Sequence, residues 1–228
     1  MFTGPHIVTD GLALYLDAAN PKSYSGTGTT WYDKSGNGNN GTLINGPTFD
    51  SGNGGSIVFD GVNDYTTINY PVFTSPTELT IGGFFTKLSG GATYETVLHQ
   101  GANTSIGTSA YWFGVDLNDK LVATIGATTG VGWAAGQTAT TAVYGAYYYL
   151  VASWNGTTVS VYINGVFNKS YSLSTYSDPG TVTRIGASGD ASGYLFSGNV
   201  GIVHIYTKAL TAQEVLQNYN ATKSRFNL

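Results

Sequence analysis

The sequence predicts an all-β protein of two packed antiparallel sheets, closed by one short α-helix near its C-terminal end. Residues 149–167, YLVASWNGTTVSVYINGVF, hold two Asn-Gly pairs between short runs of β-branched and aromatic residues. Asn and Gly tolerate the positive φ of a tight hairpin, so Asn155-Gly156 and Asn164-Gly165 each reverse an antiparallel strand. Between them Val159, Val161 and Ile163 alternate with Ser160 and Tyr162, the period of two that gives a strand one buried and one exposed face. The same punctuation recurs as six Asn-Gly and two Asp-Gly pairs among the 32 glycines of the chain.

Taken in order, Leu12 to Leu16 form a first strand, stopped by Asp17 and the Asn20-Pro21 turn. Residues 23–55 are dense in Gly, Asn, Ser and Thr, but Trp31, Tyr32, Leu43 and Ile44 argue for an ordered loop. Strand signals follow at 56–59, 65–68, 79–88, 96–99, 111–115 and 121–125, then at 147–154, 159–163, 183–185 and 201–206. Ten or more short strands with no helix between them make two packed sheets. Thr211-Ala-Gln-Glu214 has capping-box form, with Leu210 and Val215 placed as a hydrophobic staple. Val215, Leu216 and Tyr219 share one face of the helix that follows. At 228 residues the chain is expected to be one domain, residues 1–228, with a core over about 10–222 and a short tail at 223–228.

Composition narrows the partners. Charged residues are 10% of the chain, against roughly 25% in an ordinary soluble domain, so Thr, Ser, Asn, Gly and Tyr must wet the surface. Such a surface suits neutral polyhydroxylated ligands. A formal charge of -4 with nine Lys and Arg offers no footprint for nucleic acid. There is no cysteine, which removes disulfides and thiolate metal sites and leaves the redox compartment open. No stretch approaches the roughly 20 apolar residues that span a membrane. The first residues, MFTGPHIVTDG, lack the basic and apolar regions of a secretion signal, and none is expected.

Four segments, in this order and at this spacing, carry a family likeness: WYDKSGNGNNGTL at 31–43, FDGVNDY at 59–65, the Trp154 to Gly165 hairpin, and the run from Phe196-Ser-Gly198 through Ile205-Tyr206 to Leu210. Together they resemble the LamG-like branch of the concanavalin A-like lectin and glucanase superfamily. The resemblance implies a jelly-roll sandwich and leaves function open, since members range from glycan binders and glycosidases to adhesive modules and virion proteins.

Catalysis is not expected. A glycosidase needs two carboxyls about 5 to 10 Å apart, and the superfamily's hydrolases set theirs in a Glu-x-Asp-x-Glu strand that this sequence lacks. Glu214 is accounted for by the helix cap, and Glu78 and Glu95 stand alone. Asp116 and Asp119 flank a Leu117-Asn118 turn. His6, His99 and His204 are too far apart for a metal site, and His204 reads as a hydrogen-bonded core or interface residue.

Asp60, Asn63 and Asp64, grouped in one turn after a strand end, read first as an Asx turn that needs no ion; the alternative, to which the resemblance adds weight, is one structural calcium with these three residues as its ligands. Asp33 with Ser35 and Asn37 is a lesser candidate of the same kind. The 17 tyrosines and four tryptophans suit sugar stacking, where a ring covers the apolar face of a sugar while its polar tip stays wet. Tyr111, Trp112 and Trp133 fall in or beside glycine-rich loops and are the ligand-binding candidates, while Trp154 belongs to the core.

These features resemble the lectin-like proteins of tailed bacteriophage particles. The leading expectation is a non-catalytic, homo-oligomeric virion protein, a tail fibre or capsid decoration, contacting other virion proteins and host-surface glycans or polysaccharide. The alternatives are a carbohydrate-binding module of a bacterial secreted or surface protein and a divergent glycoside hydrolase.

Overall fold

The computed structural model describes residues 5–52, 54–69, 72, 76–89, 93–101, 109–126, 133–176, 182–191 and 193–228, with Trp133 described by its backbone alone. Among them sixteen strands alternate with turns. They are β1 (Leu12–Asp17), β2 (Thr30–Trp31), β3 (Gly41–Ile44), β4 (Thr48–Asp50), β5 (Ser56–Asp60), β6 (Tyr65–Ile68), β7 (Leu79–Lys87) and β8 (Glu95–Gly101). The second half adds β9 (Ser109–Val115), β10 (Lys120–Ile125), β11 (Gln137–Thr141), β12 (Tyr147–Trp154), β13 (Thr158–Ile163), β14 (Val166–Ser172), β15 (Thr183–Ile185) and β16 (Ser197–Tyr206). One helix, α1 (Ala212–Thr222), and a 3-10 turn, Lys223–Phe226, follow.

The strands form two antiparallel sheets of eight, the sandwich that the strand and turn pattern predicts, in the jelly-roll-like form that the family resemblance implies. The first runs β14-β13-β12-β7-β16-β5-β4, with β1 also paired to β16; the second runs β11-β10-β9-β8-β15-β6-β3-β2. Leu14, Leu16, Phe85, Ile81, Leu150 and Val203 from the first sheet meet Leu98, Phe113, Leu121 and Ile185 from the second in one buried core. A second cluster lies on the outer side of the first sheet, where Phe84, Tyr149, Val151 and Tyr206 pack under Leu210 and Val215. Tyr162, placed by alternation on an exposed face, is covered by this cluster instead.

Local chemistry explains most of the turns. Asn164 and Gly165 sit at φ 52° and 78°, the left-handed pair that a two-residue hairpin requires. The Asn155-Gly156 reversal works differently. Gly156 alone is left-handed, at φ 90°, and Asn155 Oδ1 accepts from the N–H groups of Thr157 and Thr158 at 3.1 and 2.9 Å. The helix start is as predicted: Thr211 Oγ1 accepts from Glu214 N at 3.3 Å, and Glu214 Oε2 accepts from Thr211 N at 2.9 Å.

The C-terminal end departs from expectation in two ways. Leu216 lies exposed, and Asn218 takes the inward position, where its Oδ1 accepts from Val8 N at 2.8 Å and its Nδ2 donates to Tyr206 at 3.0 Å. The tail at 223–228 is no appendage. Phe226 stacks on Phe84 at 4.5 Å, and Arg225 closes both arms of its fork on Asp17 at 2.9 and 2.7 Å. The core therefore runs past residue 222.

The strands missed by the sequence signals are β2, β3, β4, β11 and β14. Each is short or lies at a sheet edge, and β14 exposes most of its residues, so none carries the apolar alternation that marks a half-buried strand.

Candidate functional site

The predicted ligand-binding aromatics are not at the surface. Tyr111 and Trp112 belong to β9, which is paired on both sides by β8 and β10, and both are fully buried. Tyr111 points into the core, its hydroxyl 2.7 Å from Thr183 Oγ1. Trp112 faces the other way, donates its Nε1–H to Thr96 Oγ1 at 2.8 Å, and meets Tyr94 edge-on at 6.0 Å. Both side chains are thus covered and hydrogen-bonded, which corrects their expected role as surface platforms. Trp133 opens a 3-10 turn, Trp133–Gly136, and its side chain lies outside the described residues.

The Asp60–Asp64 turn closes on its own donors. Asp60 Oδ1 accepts from the N–H groups of Val62, Asn63 and Asp64 at 2.8, 3.3 and 3.4 Å, and Asp64 Oδ2 accepts from Asp60 N at 3.1 Å. The N–H group of Val62 is the main reason that the Asp60 carboxyl titrates below its usual range. Burial pushes Asp64 up. One oxygen of each carboxylate and the Asn63 amide stay outside these bonds, against the six to eight oxygens that calcium takes. No group of three or more acidic or histidine side chains able to hold a metal occurs among the described residues. Asp33 is committed more completely, because its two oxygens accept from Tyr15 N, Ser35 N, Ser35 Oγ and Asn39 N at 2.7–3.0 Å. The Gly- and Asn-rich loop is therefore pinned to β1.

The carboxylates have structural partners. Glu95 does not stand alone. It pairs with buried Lys87 at 3.0 Å, and Lys87 also holds Asp119. Asp116 Oδ1 accepts from Asn118 N and Lys120 N, both at 2.8 Å, which is the turn role expected of it. His204 is a core residue 2.8 Å from the Tyr149 hydroxyl, and burial lowers its pKa to about 3.

Among the described residues, an accessible aromatic feature stands at each end of β12, and sequence reasoning singled out neither as a ligand site. At one end of β12, Tyr144 is 51% exposed. Its hydroxyl donates to Asp119 Oδ2 at 3.0 Å, and Lys87 Nζ lies 5.6 Å from its ring centre. At the other end of β12, Trp154 and Tyr176 stack at 5.8 Å and 26° in an open cavity of about 370 Å³. Trp154 is fixed by donating to Leu173 O at 2.9 Å, which leaves the partly exposed Tyr176 as the aromatic surface. Thr77, Ser174 and Thr175 add hydroxyls to the lining, which Pro76 and Gly156 complete and which holds no charged side chain. The missed signal was a tyrosine inside the hydroxyl-rich run Ser172-Leu-Ser-Thr-Tyr176.

The model of the Laminin_G_3 family, described as the concanavalin A-like lectin/glucanases superfamily, matches residues 59–216, and the chain belongs to this family. It is a lectin-like module, and the family assignment supports a non-enzymatic role. No curated protein matches the sequence. Among solved structures, a sialidase of Trypanosoma rangeli in complex with 2,3-difluorosialic acid is similar at 16% identity and a TM-score of 0.69, over 97% of this chain and 35% of the sialidase. The chain thus spans about a third of the length of the sialidases that it matches. Domain 4 of an extracellular arabinanase from Geobacillus stearothermophilus, in complex with arabinotriose, is similar at 19% identity and a TM-score of 0.65, over 91% of this chain and 98% of that domain. The binding domain of Paraclostridial Mosquitocidal Protein 1 gives 15% identity and a TM-score of 0.65, over 93% of this chain and 52% of the other. At these identities the likeness is one of fold. No helix among the described residues is long and apolar enough to cross a membrane.

Proposed function

We propose that the chain is a non-catalytic carbohydrate-binding module that seats a neutral saccharide in the Trp154–Tyr176 cavity. The observation that carries this is the cavity's chemistry: a braced aromatic pair surrounded by hydroxyls and free of charge. A ring of this kind stacks on the apolar face of a sugar. At about 370 Å³ the cavity falls near the lower end of the usual range for ligand sites, roughly 300–1,000 Å³. The similar arabinanase domain was solved with arabinotriose, and the similar mosquitocidal domain is a binding domain. Both favour a module of a secreted or surface protein.

Affinity per site is weak, and arrays of copies raise it by about 10² to 10⁴. Residence on a virion, as fibre or decoration among other virion proteins, is the finer form of the proposal and rests on composition; mass spectrometry of purified particles tests it. Calcium at Asp60, Asn63 and Asp64 is likewise a proposal, tested by melting with and without chelator.

The deciding experiment is retention of the arrayed protein on a panel of neutral polysaccharides that includes arabinan. The parent is retained, and Tyr176→Ala loses about tenfold or more in affinity while melting like the parent. An arrayed parent that passes through every matrix, or a variant retained equally well, would overturn the proposal.

A further inference from the structure

The outward face of the second sheet carries a row of side chains that the proposed cavity does not use. Pairing across six strands sets Thr42, Thr67, Arg184, His99, Trp112 and Thr124 side by side. The next row along, Leu43, Thr66, Ile185, Leu98, Phe113 and Ala123, is buried, and five of these six belong to the core cluster. Side chains alternate between the faces of a sheet, so the Arg184 row faces away from the core.

Access changes along the row. Thr42 is exposed, Thr67 and Arg184 are half-buried, and His99 and Trp112 are covered. Tyr65, half-buried, supports the Arg184 guanidinium at 5.8 Å from its ring centre. The row is therefore a trough, open at the β3 end and closed at His99.

The polar groups at the inner end are incomplete. Arg184 Nε and Nη1 and His99 Nδ1 are buried without a hydrogen-bond partner. His99 Nε2 is in contact with Ser109 Oγ, so its ring is held while the other nitrogen stays open. Buried donors of this kind are nearly always satisfied in native proteins. The contrast with Arg225 is direct, since Asp17 fills both arms of that guanidinium. Asp190 acts on Arg184 through its charge, yet Nε and Nη1 remain without an acceptor.

We propose that Arg184 and His99 form a recognition site for the carboxylate of an acidic saccharide, whose ring lies outward along Thr67 and Thr42. Nη2 belongs to both hydrogen-bonding edges of a guanidinium. A carboxylate on either edge thus accepts from Nη2 and from one of the two unpartnered nitrogens, in the planar match that guanidinium and carboxylate favour. The charge count selects a monoanion over a dianion such as free sulfate or a phosphate monoester, and the planar fork selects a carboxylate among monoanions. His99 is kept neutral at pH 7, its pKa lowered to about 4 by burial and by Arg184, which leaves one cationic group in the row of a chain with a formal charge of -4. The saccharide part rests on the lectin-like character of the family; the site is separate from the Trp154–Tyr176 cavity.

The test is a titration of the full ¹⁵N-labelled chain, following the Arg184 Nε–H resonance, with glucuronate, glucose and acetate as probes. Glucuronate is expected to shift the resonance saturably, with glucose and acetate each at least about tenfold weaker. Arg184→Lys keeps the charge but loses the planar fork, and should weaken glucuronate by about tenfold. Arg184→Gln should erase the preference for glucuronate over glucose. An Arg184 resonance unmoved by glucuronate, equal effects of glucuronate and glucose, or a preference that survives Arg184→Gln would each overturn the proposal; acetate as effective as glucuronate would remove the saccharide from it. The parent's resonance gives an answer even if a variant fails to fold. Retention on neutral polysaccharide is a separate readout, so either site can fail alone.

Discussion

Replacing Lys87 by Met should be among the most damaging single substitutions in this chain. The Lys87 side chain is 0% exposed, that of Glu95 4%, and that of Asp119 28%. Met preserves most of the apolar stem and removes the ammonium, leaving Glu95 as a buried carboxylate without its 3.0 Å counter-charge. Breaking a buried pair in this way costs about 3–5 kcal/mol. At about 2–4 °C per kcal/mol for a chain of this size, the melting temperature falls by roughly 6–20 °C. Urea titration at pH 7 measures the loss. Repeating it near pH 4 adds a second requirement, because Glu95 can then take up a proton and the deficit of the variant should shrink. In the parent, burial pulls Lys87 down, but its bonds to Asp119 and Glu95 leave its pKa raised. Burial pushes Asp119 up, but Lys87 and Tyr144 leave it lowered. The Lys87 contribution is full below the ordinary lysine value and is lost as pH rises through the raised one. That of Asp119 is full above the ordinary carboxylate value and is lost as pH falls through the depressed one. The network therefore acts fully between about pH 4 and pH 10. A loss below about 1 kcal/mol at pH 7, or one of equal size at pH 4, would refute this account.

Three further outcomes are expected. Burial lowers His99 and His204 to about 4 and about 3, so only the unfolded chain takes protons as pH falls below about 6.5; each histidine then costs about 2 kcal/mol by pH 5, and His204→Gln should flatten the measured slope of stability against pH. Phe226→Ala, which empties a site against Phe84 and Tyr147, should cost about 3–5 kcal/mol in chemical denaturation, whereas a loosely held tail would give almost none. Asp60→Ala should lower stability by about 0.5–1.5 kcal/mol with chelator present, through loss of a solvent-exposed backbone acceptor; a melting temperature that rises with millimolar calcium in the parent and not in the variant would place an ion at the turn.

Much of the fold was legible because its turns state their own geometry. Asn164-Gly165 and the Thr211–Glu214 cap behave as their residue types demand, and the long strands carry clear alternation. What sequence could not show was which aromatics the sandwich would cover. Trp112 lies on an outward-facing row, yet Tyr94 and Tyr194, distant in sequence, pack over it. Tyr176 sits in a hydroxyl-rich segment with no strand pattern, and only the stack on Trp154 marks it out. Lys87, Glu95 and Asp119 come from three separate segments, and no spacing rule brings them together. Local chemistry was therefore readable, while coverage depended on contacts between segments far apart in the chain.

The low charge of this protein also gives its acids a particular meaning. Asp33, Asp60 and Asp116 hold backbone N–H groups in turns. Asp17 holds the C-terminal tail through Arg225, Glu95 and Asp119 neutralise Lys87, and Glu214 caps α1 while binding Lys208. Each of these carboxylates is thus committed to holding the fold together. The same comparison isolates Arg184. Where Lys87, Lys208 and Arg225 each meet a carboxylate within 3.0 Å, Arg184 keeps two buried nitrogens with no acceptor. An acceptor supplied by a ligand would satisfy that guanidinium, and its absence from the fold's own network is what makes the trough on the second sheet a place to look for an acidic sugar.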